Sequence, residues 1–105
     1  MVKKILFISF LFFSIAGFSQ KNLQKLSASP NPFYNQTTIR FNATKKQAVF
    51  LVIKNLLGKT VFKKIHTAKI GKNSIVFNKK NLQAGMYIYA IQSRKEIISK
   101  RIIIK

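Results

Sequence analysis

The chain has 105 residues, enough for one small domain, and its twenty basic residues face a single acid, Glu96, which gives a formal net charge of +19. The absence of cysteine excludes disulfides and thiolate metal sites, and a single acid excludes catalysis by paired carboxylates. The charge has two explanations: a gene rich in A and T, which favours lysine codons, or a protein that works in anionic surroundings. The scarcity of Asp and Glu favours the second, because the same codon bias also supplies acids.

The first 19 residues have the layout of a secretory signal peptide. Two lysines near the start precede the almost entirely apolar residues 5–15. Within 16–19, small residues occupy the −3 and −1 positions for cleavage after Ser19. The apolar run is shorter than the about 20 residues that a membrane-spanning helix needs. We therefore predict cleavage between Ser19 and Gln20 rather than a retained membrane anchor.

A short polar linker, residues 20–25, leads to the predicted domain, residues 26–105. A brief first strand over 26–29 runs into Pro30-Asn31-Pro32-Phe33. Because proline lacks an amide N–H, two prolines separated by one residue are incompatible with a central strand. We predict a rigid corner here, with Phe33 as a hydrophobic plug.

The next three strands differ in their apolar patterns. Residues 37–42 alternate, which is typical of a strand with one buried face. Residues 48–53 are continuously apolar, which predicts a central strand. A turn containing Gly58 then leads to residues 60–66, where two adjacent lysines predict an edge strand, because charge discourages further strand pairing.

The last part of the chain holds three more strands. The first, over 73–78, is short. Residues 81–93 form a turn that closes at Gly85, followed by a strand that is apolar on both faces and therefore central in a sheet. We expect the final strand, 96–105, to bury the face that carries Ile98, Ile102 and Ile104.

Beyond residue 25 the sequence thus contains about seven short strands at roughly ten-residue spacing, with turns marked by Gly, Pro, Asn or Lys. No window has convincing helical periodicity. We predict an all-β fold, a small antiparallel β-sandwich of Ig-like architecture. The Cys…Trp…Cys trio of antibody domains is missing.

The sequence lacks the groups that catalysis and cofactor binding need. His66, the one histidine, has no Cys or Asp companion for a metal site and is predicted to be solvated on the edge strand. The serines have no His–Asp relay, and the isolated turn glycines form no phosphate-binding loop. We predict no enzymatic activity, no cofactor and no small-molecule substrate. Most aromatic residues occupy alternating positions that the core needs, which argues against a nucleic-acid surface.

Five segments, in order along the chain, resemble the type A C-terminal sorting domain of the type IX (Por) secretion system of Bacteroidota. They are Pro30-Asn31-Pro32-Phe33, Thr37 to Phe41, Leu56-Leu57-Gly58-Lys59, Asn81 to Tyr87 with its Leu-x-x-Gly-x-Tyr signature, and the basic and aliphatic ending Lys100 to Lys105. Each segment is weak evidence alone, whereas five at the family spacing are fairly specific.

The resemblance implies an Ig-like sandwich that has no activity of its own and serves as an export address. It implies recognition by the type IX outer-membrane translocon and removal by a sortase-type peptidase, as the cargo is released or joined to anionic lipopolysaccharide. We expect the corner, the two glycine turns and the final strand to be recognised. The residues concerned are Pro30, Asn31, Pro32, Phe33, Gly58, Leu82, Gly85, Tyr87, Lys100, Arg101 and Lys105.

Family members usually carry a catalytic or adhesive cargo ahead of the domain, whereas here only the linker 20–25 separates the predicted cleavage point from the first strand. The protein is then either a domain that has lost its cargo or a free-standing secreted domain. The alternative function is that of a secreted cationic β-sandwich that binds an anionic surface polymer, such as lipopolysaccharide, a glycan or nucleic acid. It predicts a contiguous basic stripe on one sheet face and salt-dependent binding.

Overall fold

The computed structural model describes residues 21–105, so the predicted signal peptide and its cleavage point between Ser19 and Gln20 lie outside the described residues. Within this range the chain forms seven strands, and no helix there could cross a membrane. The strands are β1 (Leu23–Ser29), β2 (Gln36–Ala43), β3 (Gln47–Lys54), β4 (Thr60–Ala68), β5 (Gly71–Asn78), β6 (Gly85–Gln92) and β7 (Ile97–Ile104).

The strands form two sheets in which every neighbouring pair is antiparallel. One sheet has three strands in the order β1-β2-β5, and the other has four in the order β4-β3-β6-β7. The chain changes sheet between β2 and β3, between β4 and β5, and between β5 and β6, as in the Greek-key sandwiches of Ig-like proteins. The predicted all-β sandwich is confirmed.

The core lies between the sheets and is formed by alternate residues of each strand. The strands predicted to be central, β3 and β6, lie side by side in the middle of the four-stranded sheet. β7 buries the face that carries three isoleucines, as expected. The largest fully buried side chains are Tyr89, Phe33, Phe41 and Phe77, together with Leu23, Ile39, Leu51, Ile53, Ile91, Ile102, Ile104 and Val49.

The predicted limits of the outer strands need correction at one point. β4 is an edge strand, as its lysines predict, but β1 begins at Leu23 rather than Leu26. Both leucines are buried, although residues three apart in a regular strand point to opposite faces. The register shifts between Gln24 and Ser27, and Lys25 there adopts a φ of 56°. This β-bulge interrupts the alternation of buried and exposed residues along the strand. The alternating pattern in the sequence therefore did not reveal where β1 begins.

The prediction that His66 is solvated was wrong. The imidazole is half-buried on the inner side of β4 and packs edge-on against Phe41, with ring centroids 6.0 Å apart. Its Nε2 lies 3.3 Å from Oδ1 of Asn73, a buried side chain that also binds the backbone of the β4–β5 turn. His66 is therefore part of the structural packing of this edge.

Candidate recognition surface

The corner Pro30–Phe33, between β1 and β2, is held from two sides. Thr37, at the start of β2, is buried, and its hydroxyl donates to the carbonyl of Pro30 at 2.6 Å. Phe33 is 1% exposed and packs edge-on against Phe77, with ring centroids 6.0 Å apart. The predicted plug is confirmed. The other three residues of the corner stay exposed on top of it.

The corner also pairs with the free edge of β7. The Phe33 N–H donates to the Ile103 carbonyl at 3.0 Å, and the Phe33 carbonyl accepts from the Lys105 N–H at 2.8 Å. The Asn31 side chain extends this pairing, because Nδ2 donates to the Arg101 carbonyl and Oδ1 accepts from the Ile103 N–H, both at 3.1 Å. The corner thus occupies this stretch of edge, which closes it to pairing with another chain.

The signature Leu82, Gly85 and Tyr87 forms the entry into β6. The Tyr87 hydroxyl donates to the Gln83 carbonyl at 2.8 Å, the arrangement called a tyrosine corner in Ig-like sandwiches. Gly85 has a φ of +148°, which a side chain disfavours, and it pairs with Ile104 at the end of β7. The signature therefore sets the shape of this turn beside the last residues of the chain.

The turn between β3 and β4, residues 55–59, lies at the same end of the sheet. β3 runs antiparallel to β6, and its last residue, Lys54, pairs with Ile88 near the start of β6. The turn that follows Lys54 therefore extends past this end, beside the entry into β6 at Gly85.

Hydrogen bonds from the backbone to the Asn55 side chain give the 55–59 turn its shape. Oδ1 of Asn55 accepts from the N–H groups of Leu57 and Lys59, both at 3.0 Å, and Gly58 adopts a φ of +86°. The amide oxygen satisfies backbone donors that a tight turn leaves unpaired. The loop displays Leu56 and Leu57, which are 64% and 94% exposed.

Four segments that are distant in sequence thus converge, and we call their common location the motif end. It comprises the corner 30–33 with the adjoining Tyr34, the turn 55–59, residues 81–87 and residues 103–105. The strand register brings them together, because Phe33 bridges Ile104 and Ile104 pairs with Gly85.

Tyr34 belongs to the motif end, although it is not among the residues that the sequence predicted to be recognised. The ring is 66% exposed at the motif end, and Nζ of Lys105 lies 5.6 Å from its centroid. Its position directly after the buried Phe33 is the signal that could have found it, since neighbouring residues in extended chain point to opposite sides.

The predicted recognition residues differ in accessibility. Phe33 and Tyr87 are buried and Leu82 is half-buried, so any part they play is through the shape they maintain. Lys100 and Arg101 lie in the middle of β7, and Arg101 meets the corner through its carbonyl. The exposed residues of the set are Pro30, Asn31, Pro32, Gly58, Gly85, Lys100, Arg101 and Lys105.

Over residues 21–105, no three His, Cys, Asp or Glu side chains lie close enough to hold a metal ion. The carboxylate of Glu96 accepts from the backbone N–H of Asn22 at 2.9 and 3.1 Å and from that of Leu23 at 3.2 Å. Burial raises the pKa of the Tyr89 hydroxyl above its ordinary value of 10.0, so this hydroxyl is neutral at physiological pH.

A family model described as secretion system C-terminal sorting domain matches residues 27–105. The matched range contains the corner, both glycine turns and the whole of β7. Comparison with curated proteins gives no match.

Proposed function

The chain belongs to the family of secretion system C-terminal sorting domains, and from this we propose that it is a sorting signal whose motif end binds the type IX outer-membrane translocon. Membership of this non-catalytic family implies interaction with the type IX secretion machinery and export across the outer membrane to the surface or medium. The signal peptide predicted over 1–19 supplies the earlier passage through the inner membrane. We further propose that a sortase-type peptidase of the same system removes the domain.

The convergence of the family motifs carries the proposal. The corner 30–33, the turn 55–59, residues 81–87 and the chain's last residues meet at the motif end. Stability alone does not require the motifs to meet at one end, because the core of a sandwich extends between the sheets over the whole length of the strands. Recognition by one partner does require the recognised residues to lie together on one surface.

The exposed apolar side chains of the motif end support a role in binding. Leu57 is 94% exposed, Tyr34 66% and Leu56 64%. Apolar side chains contribute free energy of binding when a partner removes them from water, and tyrosine is among the residues that most often dominate that energy. They stand on a turn and a corner that are held by side-chain hydrogen bonds, so little conformational entropy is lost when a partner binds.

A transplant of the domain tests the proposal. Residues 20–105 are attached behind a Sec-exported fluorescent reporter and expressed in a type IX-competent bacterium and in a translocon-deficient sister strain. We expect reporter at the surface or in the medium of the competent strain, and reporter confined to the periplasm of the deficient strain. Reporter confined to the periplasm of both strains would contradict the proposal.

A further inference from the structure

The outward side of the four-stranded sheet, here called the outer face, carries an unusual amount of exposed apolar surface. Its residues alternate with those that point into the core, and they come from all four strands of the sheet. The large apolar members are Phe50, Ile65, Met86, Ile88, Ile97 and Ile103, each at least 37% exposed.

Strand register makes much of this surface contiguous. Phe50 of β3 pairs with Ile65 of β4, and Met86 of β6 pairs with Ile103 of β7. Ile88 adjoins Met86 on β6. Val52 and Ala90, which pair with each other on the same face, lie between Ile88 and Phe50. A contiguous apolar patch on a small domain marks a surface that another molecule covers.

Cations are interspersed with the apolar side chains of the outer face. Nζ of Lys63 lies 4.4 Å from the centroid of the Phe50 ring. Ile88 has a cation opposite it on each side, because it pairs with Lys54 of β3 and with Arg101 of β7. Basic side chains around an exposed apolar surface are typical of proteins that lie on anionic membranes.

A basic cleft opens where the outer face ends, opposite the motif end. Its volume is 790 Å³, and the apolar part of its lining includes Ala48 and Phe50 of the outer face. Two neighbouring turns, β2–β3 and β6–β7, contribute four exposed cations to its lining: Lys45, Lys46, Arg94 and Lys95.

Two further polar side chains, Glu96 and Gln47, line the cleft. Both carboxylate oxygens of Glu96 accept hydrogen bonds from backbone N–H groups of Asn22 and Leu23. Within residues 21–105, Nε2 of Gln47 is buried without a hydrogen-bond partner. With the Glu96 carboxylate held by backbone donors, the four exposed cations of the two turns are the groups that would bind an anionic oxygen in the cleft.

We propose that the outer face and its cleft bind the surface of an anionic phospholipid membrane. The cleft holds headgroup phosphates, and the apolar side chains of the outer face lie against the acyl boundary. A free anion would occupy the cleft and leave the apolar surface in water, whereas a lipid surface matches both. The cleft lies at the end of the sheet opposite the motif end, whereas the outer face shares Met86 and Ile103 with the motif end.

Vesicle co-sedimentation tests the proposal. Residues 1–105 are expressed, and the protein is purified in the form that the host's processing leaves. It is then mixed with vesicles of phosphatidylcholine alone, or with vesicles of phosphatidylcholine and phosphatidylglycerol. We expect binding to the anionic vesicles and none to the neutral ones, with affinity falling as salt is raised. No binding to anionic vesicles, or equal binding to both kinds, would overturn the proposal.

Two variants that remove equal charge distinguish the cleft from overall charge. The cleft variant carries Lys45→Gln, Lys46→Gln, Arg94→Gln and Lys95→Gln, and we expect its affinity for anionic vesicles to fall roughly 100-fold. The matched control carries Lys25→Gln, Arg40→Gln, Lys72→Gln and Lys80→Gln, all exposed and outside the outer face. We expect this control to lose roughly fivefold or less. Equal losses in both variants would mean attraction by net charge alone and would overturn the proposal.

A third variant, Ile88→Thr with Ile103→Thr, removes apolar surface and keeps residues that favour strands. We expect roughly a tenfold loss of affinity for anionic vesicles. An unchanged affinity would overturn the proposed contribution of the apolar surface to binding.

Binding by the wild type can also be mapped without substitutions, using NMR with spin-labelled anionic bicelles. The amides of Phe50 and Ile88 should broaden, and broadening confined to Arg40 and Val76 on the other sheet would contradict the proposal.

Two soluble probes separate the lipid surface from other anions. At constant ionic strength, inorganic phosphate should not displace the protein from anionic vesicles; displacement would indicate a site for the free anion and overturn the proposal. Polyglutamate should bind more weakly than the vesicles. Binding of polyglutamate without vesicle binding would indicate an acidic protein partner instead.

Discussion

The side chain of Asn31 pairs with the backbone of Ile103 as a neighbouring strand would. Its Oδ1 accepts from the Ile103 N–H and its Nδ2 donates to the Arg101 carbonyl, both at 3.1 Å. A primary amide offers a donor and an acceptor, as a peptide unit does. It can therefore replace backbone pairing where the flanking Pro30 and Pro32 have no N–H to donate. This is a physical reason for an asparagine between two prolines.

Replacing Asn31 by alanine is expected to loosen the end of β7. Both hydrogen bonds are exposed, so their backbone partners return to water and the loss is about 1 kcal/mol of the free energy of unfolding. Hydrogen exchange at the Ile103 amide should accelerate. Asn81→Ala, in the neighbouring turn, is the control and should leave this amide unchanged. Unaltered exchange at Ile103 in Asn31→Ala would mean that Asn31 does not hold the strand.

Phe33 and Tyr34 are adjacent but should respond in opposite ways to alanine. Phe33 is 1% exposed, so Phe33→Ala leaves a cavity and should lower the free energy of unfolding by about 3–5 kcal/mol. Tyr34 is 66% exposed, so Tyr34→Ala should change stability by less than about 0.5 kcal/mol. Urea denaturation measures both values. Equal losses in the two variants would contradict the assignment of Phe33 as plug and Tyr34 as surface.

Substituting Glu96 by glutamine should weaken the attachment of β1 to β7. The carboxylate accepts three contacts from the N–H groups of Asn22 and Leu23, at 2.9 to 3.2 Å, and an amide keeps only one acceptor atom. We expect a loss of about 1–2 kcal/mol in urea denaturation. Ser99→Lys also raises the net charge by one and is the matched control. If both variants lose the same amount, charge repulsion explains the effect and the hydrogen bonds do not.

Alkaline pH should destabilise the domain through Tyr89. Burial raises the pKa of this hydroxyl above 10.0, so above about pH 10 the unfolded chain releases a proton that the folded chain keeps. The contribution of Tyr89 to stability is therefore complete below pH 10 and declines as the pH rises further. Thermal unfolding of the wild type and of Tyr89→Phe between pH 8 and 11.5 tests this. The decline above pH 10 should be smaller in Tyr89→Phe, and parallel curves would contradict the prediction.

Local sequence patterns predicted the parts of the fold that depend on burial. The continuous apolar run at 48–53 placed β3 in the middle of its sheet, and the two-sided strand after Gly85 placed β6 beside it. Apolar residues on both faces mark a central strand in the residue pattern itself. On the outer face, however, only Val52 and Ala90 are buried, and Phe50, Met86 and Ile88 stay exposed. The early start of β1 at Leu23 was not predictable in this way, because a bulge at Lys25 interrupts the alternation.

Contacts between distant residues could not be read from periodicity. The pairing of Asn31 with Ile103 joins exposed polar groups 72 residues apart, and the contact of Glu96 with Asn22 spans 74. Neither leaves a local pattern, since both depend on how the two sheets close. The motifs of the candidate surface were identifiable in the sequence, but their convergence at one end follows from the register of β6 with β3 and β7.

The central claim is that the motif end carries the sorting signal, and export of matched reporter fusions tests it most directly. One fusion carries Tyr34→Ser, Leu56→Ser and Leu57→Ser. The control carries Ile65→Ser, Ile70→Ser and Val76→Ser, which are at least 50% exposed and lie outside the motif end. Circular dichroism and thermal unfolding confirm that both are folded before export is measured.

The measurement is the fraction of reporter that crosses the outer membrane of a type IX-competent strain. We expect that fraction to fall at least roughly tenfold for the motif-end variant, because it loses apolar contacts to the translocon, and to match the wild type for the control. Wild-type export of a folded motif-end variant, or an equal loss in the control, would contradict the claim.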